Sequence, residues 1–94
     1  MIPIRWAPLA RRDLSRIEAY HLLQDPDLAD KLGRQIISAA KLLREHPMAG
    51  PVALDGKRRK WRVAGTRYNL FYRVREDHVQ VLRVLHDAQD QAVN

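Results

Sequence analysis

The chain opens on alternation: Ile2, Ile4 and Trp6 are apolar, with Pro3 and Arg5 between them. A period of two is that of a half-buried strand, and a proline so near its start places it at a sheet edge, where the missing N–H is not needed. From Pro8 the period lengthens. Ala10, Leu14, Ile17 and His21 fall at i, i+4, i+7 and i+11, one face of a helix, with Arg11, Arg12, Arg16 and Glu18 on the rest. Asp25-Pro26 opens a second helix, because the Asp carboxylate accepts from free backbone donors and proline at the first helical position loses nothing. Its stripe is Leu32, Ile36, Ala39 and Leu43, widened by Leu28 and Ala40, and Pro47 stops it just beyond His46.

Pro47-Met48-Ala49-Gly50-Pro51 and Asp55-Gly56 are dense in turn formers and connect the helical half to a strand half. Trp61 and Val63 alternate with Lys60 and Arg62, Gly65-Thr66 turns the chain, and Tyr68, Leu70, Tyr72 and Val74 alternate with Asn69, Phe71, Arg73 and Arg75. This is a hairpin whose tyrosines share a core-facing side with Leu70 and Val74. After Glu76-Asp77-His78, the run Val79-Gln80-Val81-Leu82-Arg83-Val84-Leu85 is apolar on both faces, as an interior strand is. The tail from Asp87 reads as a frayed end or a helical turn. The fold class is therefore α+β: an N-terminal strand, an antiparallel helix hairpin, then three antiparallel strands, with the helices packed on one face of a mainly antiparallel sheet.

Ninety-four residues are the length of one domain, spanning 1–94, and too few for a deep enclosed active site, so function is expected at the surface. Seventeen Lys and Arg against 11 Asp and Glu give a net charge of +6. The excess is local, for Gly56 to Arg75 carry Lys57, Arg58, Arg59, Lys60, Arg62, Arg67, Arg73 and Arg75 with no acid. Such a cluster attracts phosphates or carboxylates, and its bland alternative is a solvated edge that resists aggregation. Trp61, Tyr68, Phe71 and Tyr72 are interleaved with it and could stack bases, although the alternation assigns most of them to the core. The absence of cysteine suits a reducing, cytoplasmic compartment. The N-terminus lacks the basic-then-apolar order of a signal peptide, and no run is long enough to span a membrane.

Most catalytic chemistries find no support. His21, His46, His78 and His86 lack metal-site spacing, Ser15 and Ser38 both lie on helices, and the four glycines are scattered, so no metal, nucleophile elbow, phosphate loop or cofactor is expected. Metal-free RNA cleavage stays open. It needs a base, an acid and a cation for the phosphorane, for which Arg62, Arg73, Arg83 and His86 are the candidates. Arg83 and His86, three apart on one strand, face opposite sides unless a bulge intervenes.

Several segments together resemble the ParE branch of the RelE/ParE toxin superfamily: Trp6-Ala7-Pro8-Leu9-Ala10 with Asp13-Leu14 and Ile17; Leu43-Arg44-Glu45-His46-Pro47 with Gly50; Arg62-Val63; Tyr68-Asn69-Leu70-Phe71-Tyr72-Arg73-Val74; and Val79 through His86. The resemblance covers nearly the whole chain. It implies a type II toxin, held inactive by an antitoxin that often carries a ribbon-helix-helix DNA-binding domain, as ParD-like antitoxins do. ParE-like members are implied to poison DNA gyrase, whereas RelE-like members cleave mRNA on the ribosome. RelE-like cleavage usually relies on an aromatic or basic residue near the C-terminus, and everything after His86 lacks Tyr, Lys and Arg, which favours the inhibitor. Arg58, Arg59, Lys60, Arg62, Arg73, Arg83 and His86 are then expected to face the target or antitoxin.

Overall fold

A computed structural model describes residues 2–90. Its elements are β1 (Ile4–Trp6), α1 (Pro8–Leu22), α2 (Pro26–Glu45), β2 (Arg59–Arg62), β3 (Tyr68–Val74), β4 (Val79–His86) and a closing helical turn α3 (Asp87–Asp90). Local signals explain the helix ends. Pro8 and Pro26 occupy first-turn positions, and Asp25 accepts from the backbone N–H groups of Asp27 (3.1 Å) and Leu28 (3.2 Å). The helix α2 buries Ala29, Leu32, Ile36, Ala40 and Leu43. Leu28, placed on the buried stripe by spacing alone, is instead exposed, in the first turn of the helix and one turn before the buried Leu32.

The strand order is β1-β4-β3-β2. The β3 strand runs antiparallel to both neighbours, whereas β1 pairs parallel with β4 in the register Ile4↔Val79 to Trp6↔Val81, so the sheet is mixed. Interior placement between β1 and β3 accounts for the apolar run of β4, in which Val79, Val81, Val84 and Leu85 are all buried. The β3–β4 register slips once: Phe71 lies opposite Arg83 but Tyr72 opposite Val81, so Leu82 is an extra residue in the manner of a β-bulge.

The core lies between the helices and the sheet, and as the alternation predicts it contains Leu70 and Tyr72, with Tyr68 and Val74 packed against it. Tyr72 also anchors the long connection. Its hydroxyl donates to the Pro47 carbonyl (2.8 Å) and accepts from the Gly50 N–H (2.9 Å). A Cβ on Gly50 would stand 2.7 Å from the Lys60 carbonyl oxygen and 2.8 Å from that hydroxyl, so only glycine fits this approach. The turn between β2 and β3 uses Gly65 at φ +75°, beside a Thr66 hydroxyl that donates to the Val63 carbonyl (2.8 Å). Among the described residues no helix is long and apolar enough to cross a membrane.

Candidate functional site on the outer sheet face

Cross-strand partners share a face, so the pairs Lys60↔Phe71 and Arg62↔Asn69 put both cations beside Phe71 and Asn69, on the side away from the core tyrosine. No helix hairpin covers this side, yet Phe71 and Asn69 are fully buried. Cations form the lid. The Arg58 guanidinium lies 5.0 Å and the Lys60 ammonium 5.9 Å from the centre of the Phe71 ring. Phe71 is thus no stacking platform for a base.

Most of these cations have a carboxylate of their own. Arg58 Nε donates to Asp55 (2.6 Å), Lys60 Nζ to the buried Asp90, and Arg62 Nη2 to both oxygens of Asp87 (3.0 Å each) while its Nη1 reaches the Thr66 carbonyl (2.9 Å). Asp87 also accepts from the Asn69 side-chain amide (2.8 Å). The backbone N–H groups of Lys57 and Arg58, followed by the Arg58 guanidinium, hold the Asp55 carboxyl down at about 2. Asn69 and then Arg62 hold Asp87 below the usual carboxylate range. Arg62, expected to face a partner, has its fork closed on Asp87 while its side chain stays 53% exposed.

Arg59 and Arg73 differ. Arg59, the cross-strand partner of Tyr72, stands on the opposite side of β2 from Lys60, and its Nη1 donates to the backbone carbonyls of Gly50 (2.7 Å) and Met48 (3.4 Å). Arg73 keeps its Nε buried with no hydrogen-bond partner among the described residues. Together with Lys57, Arg75, Met48 and Val52 they line an open cleft of about 530 Å³.

Arg83 and His86 go elsewhere. Arg83 donates from Nε (2.8 Å) and Nη2 (3.0 Å) to Asp13 of α1, which also accepts from the Val84 N–H (3.0 Å), and the Asp13 carboxylate holds the guanidinium charged. The His86 ring stands edge-on to Tyr68 at 5.3 Å, and its Nδ1 accepts from the Ala88 N–H (3.1 Å). Tyr68 in turn meets His21 Nε2 through its hydroxyl at 3.0 Å, and burial pushes that phenol up. Of the four nuclease candidates, Arg62 and His86 both act on Asp87, Arg83 is held by Asp13, and Arg73 lines the cleft. Sequence reasoning missed buried Asp13; nothing in the helical period marks it, since its partner is 70 residues away. The His21–Tyr68–His86 ring contacts had a partial signal, because the helical period already set His21 on the apolar face. Among the described residues no group of three or more His, Cys, Asp or Glu is arranged to hold a metal ion.

A family model, the ParE toxin of the type II toxin–antitoxin system parDE, matches residues 4–91. The chain belongs to the ParE toxin family. Among its relatives, the candidate toxin Y4kP of Sinorhizobium fredii is 35% identical over 86 residues, 92% of this chain and 88% of that protein. Toxin RelE3 of Caulobacter vibrioides is 31% identical over 90 residues, 95% and 98% of the two chains. A solved chain of a chromosomal ParDE toxin–antitoxin system from P. aeruginosa superposes with a TM-score of 0.82 at 22% identity, covering 92% of this chain and 96% of that one, and bears out the fold. As a ParE-family toxin of a type II system, the chain carries its cationic outer face on this shared scaffold.

Proposed function

We propose that residues 1–94 form one toxin domain that arrests growth in the cytoplasm by binding DNA gyrase through a protein surface, without cleaving RNA. A cognate, ParD-like antitoxin with a ribbon-helix-helix DNA-binding domain neutralises it in a toxin–antitoxin hetero-oligomer. The observation that supports the inhibitor reading is that the nuclease candidates are engaged within the chain: Arg62 closes on Asp87, Arg83 on Asp13, and His86 packs on Tyr68. Phosphodiester cleavage requires an acid, a base and a cation free to gather around one phosphate, and three of the four candidates are already engaged by the chain. Likeness to Toxin RelE3 keeps the runner-up, a ribosome-dependent mRNA endonuclease, as the alternative outcome of the test.

Induction of the chain followed by pulse labelling separates the two. A gyrase inhibitor stalls DNA synthesis and raises a DNA-damage response while translation continues at first. Immediate loss of translation with cleaved messages would overturn the proposal. Co-expression with the product of the neighbouring reading frame tests neutralisation: the antitoxin restores growth and co-purifies with the chain.

A further inference from the structure

At the end of β3 opposite Arg73, the helix hairpin and the sheet enclose a second cavity, of about 740 Å³. Four rings line it. Tyr20, His21, Tyr68 and His86 follow one another edge to face, with centroids 5.0, 6.1 and 5.3 Å apart and interplanar angles of 89°, 79° and 84°. No ring lies flat on the next and none is fully buried, whereas Phe71 is sealed under its cations. The hydrogen bond between the Tyr68 hydroxyl and His21 Nε2 fixes the two central rings (3.0 Å). Because His86 Nδ1 accepts from the Ala88 N–H, the neutral imidazole carries its proton on Nε2, a donor that no group among the described residues takes up. The charge of this cavity is one-sided. Lys31 and Arg67 line it and no aspartate or glutamate does, and neither cation meets a carboxylate among the described residues. Its size is that of an ordinary small-ligand site, roughly 300–1,000 Å³.

We propose that this cavity binds a nucleoside monophosphate, with the base among the four rings and the phosphate on Lys31 and Arg67. The site does not depend on gyrase or antitoxin binding. Accessible ring faces and edges select a planar heteroaromatic group, and the two unmatched cations select an anion attached to it. The Gln89 side-chain amide also lines the cavity, and with its oxygen on the His86 backbone N–H (3.0 Å) it keeps its NH₂ donors for a base edge. A single nucleotide fits better than a strand. The cations on the neighbouring β2 strand, Lys60 and Arg62, are closed on Asp90 and Asp87, so phosphates beyond the cavity find no continuing basic track there. An acidic peptide would use Lys31 and Arg67 but leave the rings without a partner.

The test titrates the full chain with the 5′-monophosphates of adenosine, guanosine, cytidine and uridine, with the parent nucleosides and with inorganic phosphate, followed by calorimetry and by the ring proton signals of the tyrosines and histidines. At least one monophosphate is expected to bind and to shift the Tyr20, His21, Tyr68 and His86 rings, while its nucleoside and phosphate alone each bind more weakly by roughly tenfold or more, the loss of one charge-assisted contact. The double variant Lys31→Gln with Arg67→Gln, both at exposed positions, should bring the monophosphate down to the affinity of its nucleoside at an unchanged melting temperature. Tyr20→Ala removes a ring that is 57% exposed, so it should weaken nucleoside and monophosphate alike without unfolding the chain. Binding by none of the four monophosphates would overturn the proposal, as would phosphate that binds as tightly as any of them. Equal binding by wild type and the double variant would do the same. An oligoadenylate whose affinity rises with length at the same rings would replace the mononucleotide site with a strand-binding surface.

Discussion

Two ends of the β2–β3 pair are built from the same residue types and end up in different states. Where β2 meets the C-terminal turn, Arg62 is held by both oxygens of Asp87, Lys60 by Asp90, and Asn69 donates to the same Asp87. Where β2 begins and β3 ends, Asp55 holds Arg58, Arg59 donates to carbonyls, Arg73 keeps a buried Nε without an acceptor among the described residues, and Lys57 and Arg75 add charge of the same sign. Linear charge density does not distinguish the two ends. Their separation comes from where the aspartates sit: Asp87 and Asp90 fasten Arg62 and Lys60 to the C-terminal turn, while at the other end Asp55 holds Arg58. Matched cations should therefore be costly to unmatch, and unmatched ones cheap to remove.

The largest effect expected from that contrast lies at the most thoroughly matched cation. Asp13 is buried and accepts three hydrogen bonds, two from Arg83 and one from the Val84 N–H. Asp13→Ala leaves a guanidinium and a strand amide without their acceptor. Loss of one partner of a buried pair costs about 3–5 kcal/mol, and the low end applies because the Arg83 side chain keeps 30% of its exposure and can turn to water. Chemical denaturation measures it, with Leu70→Ala, roughly 2–5 kcal/mol for a fully buried leucine, as the packing reference. An Asp13→Ala protein as stable as wild type would break the idea that matched cations hold the structure.

Next comes Asp90→Ala at the closed end. Asp90 is 5% exposed and its partner Lys60 covers the Phe71 ring, so the variant loses a charge-assisted hydrogen bond of about 1.5–3 kcal/mol and loosens the lid. With shifts of about 4–8 °C per kcal/mol for a domain of this size, thermal melting resolves it readily. Arg73→Met is the matching experiment at the open end. It removes a buried donor with no acceptor among the described residues and keeps the aliphatic stem, so stability should stay within about 1 kcal/mol of wild type or rise. A drop as large as that of Asp90→Ala would mean that Arg73 is fastened like Lys60, and the contrast would collapse.

How much of this was legible in the sequence follows from range. The Asp25 cap, the Pro47 stop, the α2 stripe and the core face of β3 are decided by neighbours within a few residues, and they stand as the pattern predicts, apart from the outward turn of Leu28. The C-terminal stretch from Asp87 resolves to a helical turn as far as Asp90, and residues 91–94 lie outside the described residues. The parallel docking of β1 on β4 joins segments about 75 residues apart in sequence and has no local signature. The same holds for Asp13–Arg83, Asp90–Lys60 and Asp87–Arg62. Sequence alone therefore makes Arg59 and Arg62 look like free surface charges that could be reversed harmlessly. In the fold, reversal of Arg62 would set a carboxylate against Asp87, and loss of Arg59 would release the Gly50 carbonyl.

The smallest predicted effect tests the same contrast through pH. Asp87 is held below its ordinary range by Asn69 and Arg62, and Asp55 is held at about 2 by the Lys57 and Arg58 backbone and by the Arg58 guanidinium. A carboxyl whose folded value is depressed stabilises the fold above its ordinary value of 3.8, and that contribution disappears as pH falls through the folded value. The melting temperature should thus be flat with respect to these groups above about pH 5 and decline towards pH 2. Asp77, lowered by its hydrogen bond to His78, adds a decline of its own that has nothing to do with the sheet face. Single variants separate the contributions. Asp87→Asn and Asp55→Asn should each flatten part of the curve, whereas Arg73→Met, which removes a cation that no carboxylate among the described residues holds, should give a curve parallel to wild type. A curve for Arg73→Met that converges on wild type only at low pH would reveal an aspartate or glutamate serving Arg73 in solution, and the open end would then be closed by the chain itself.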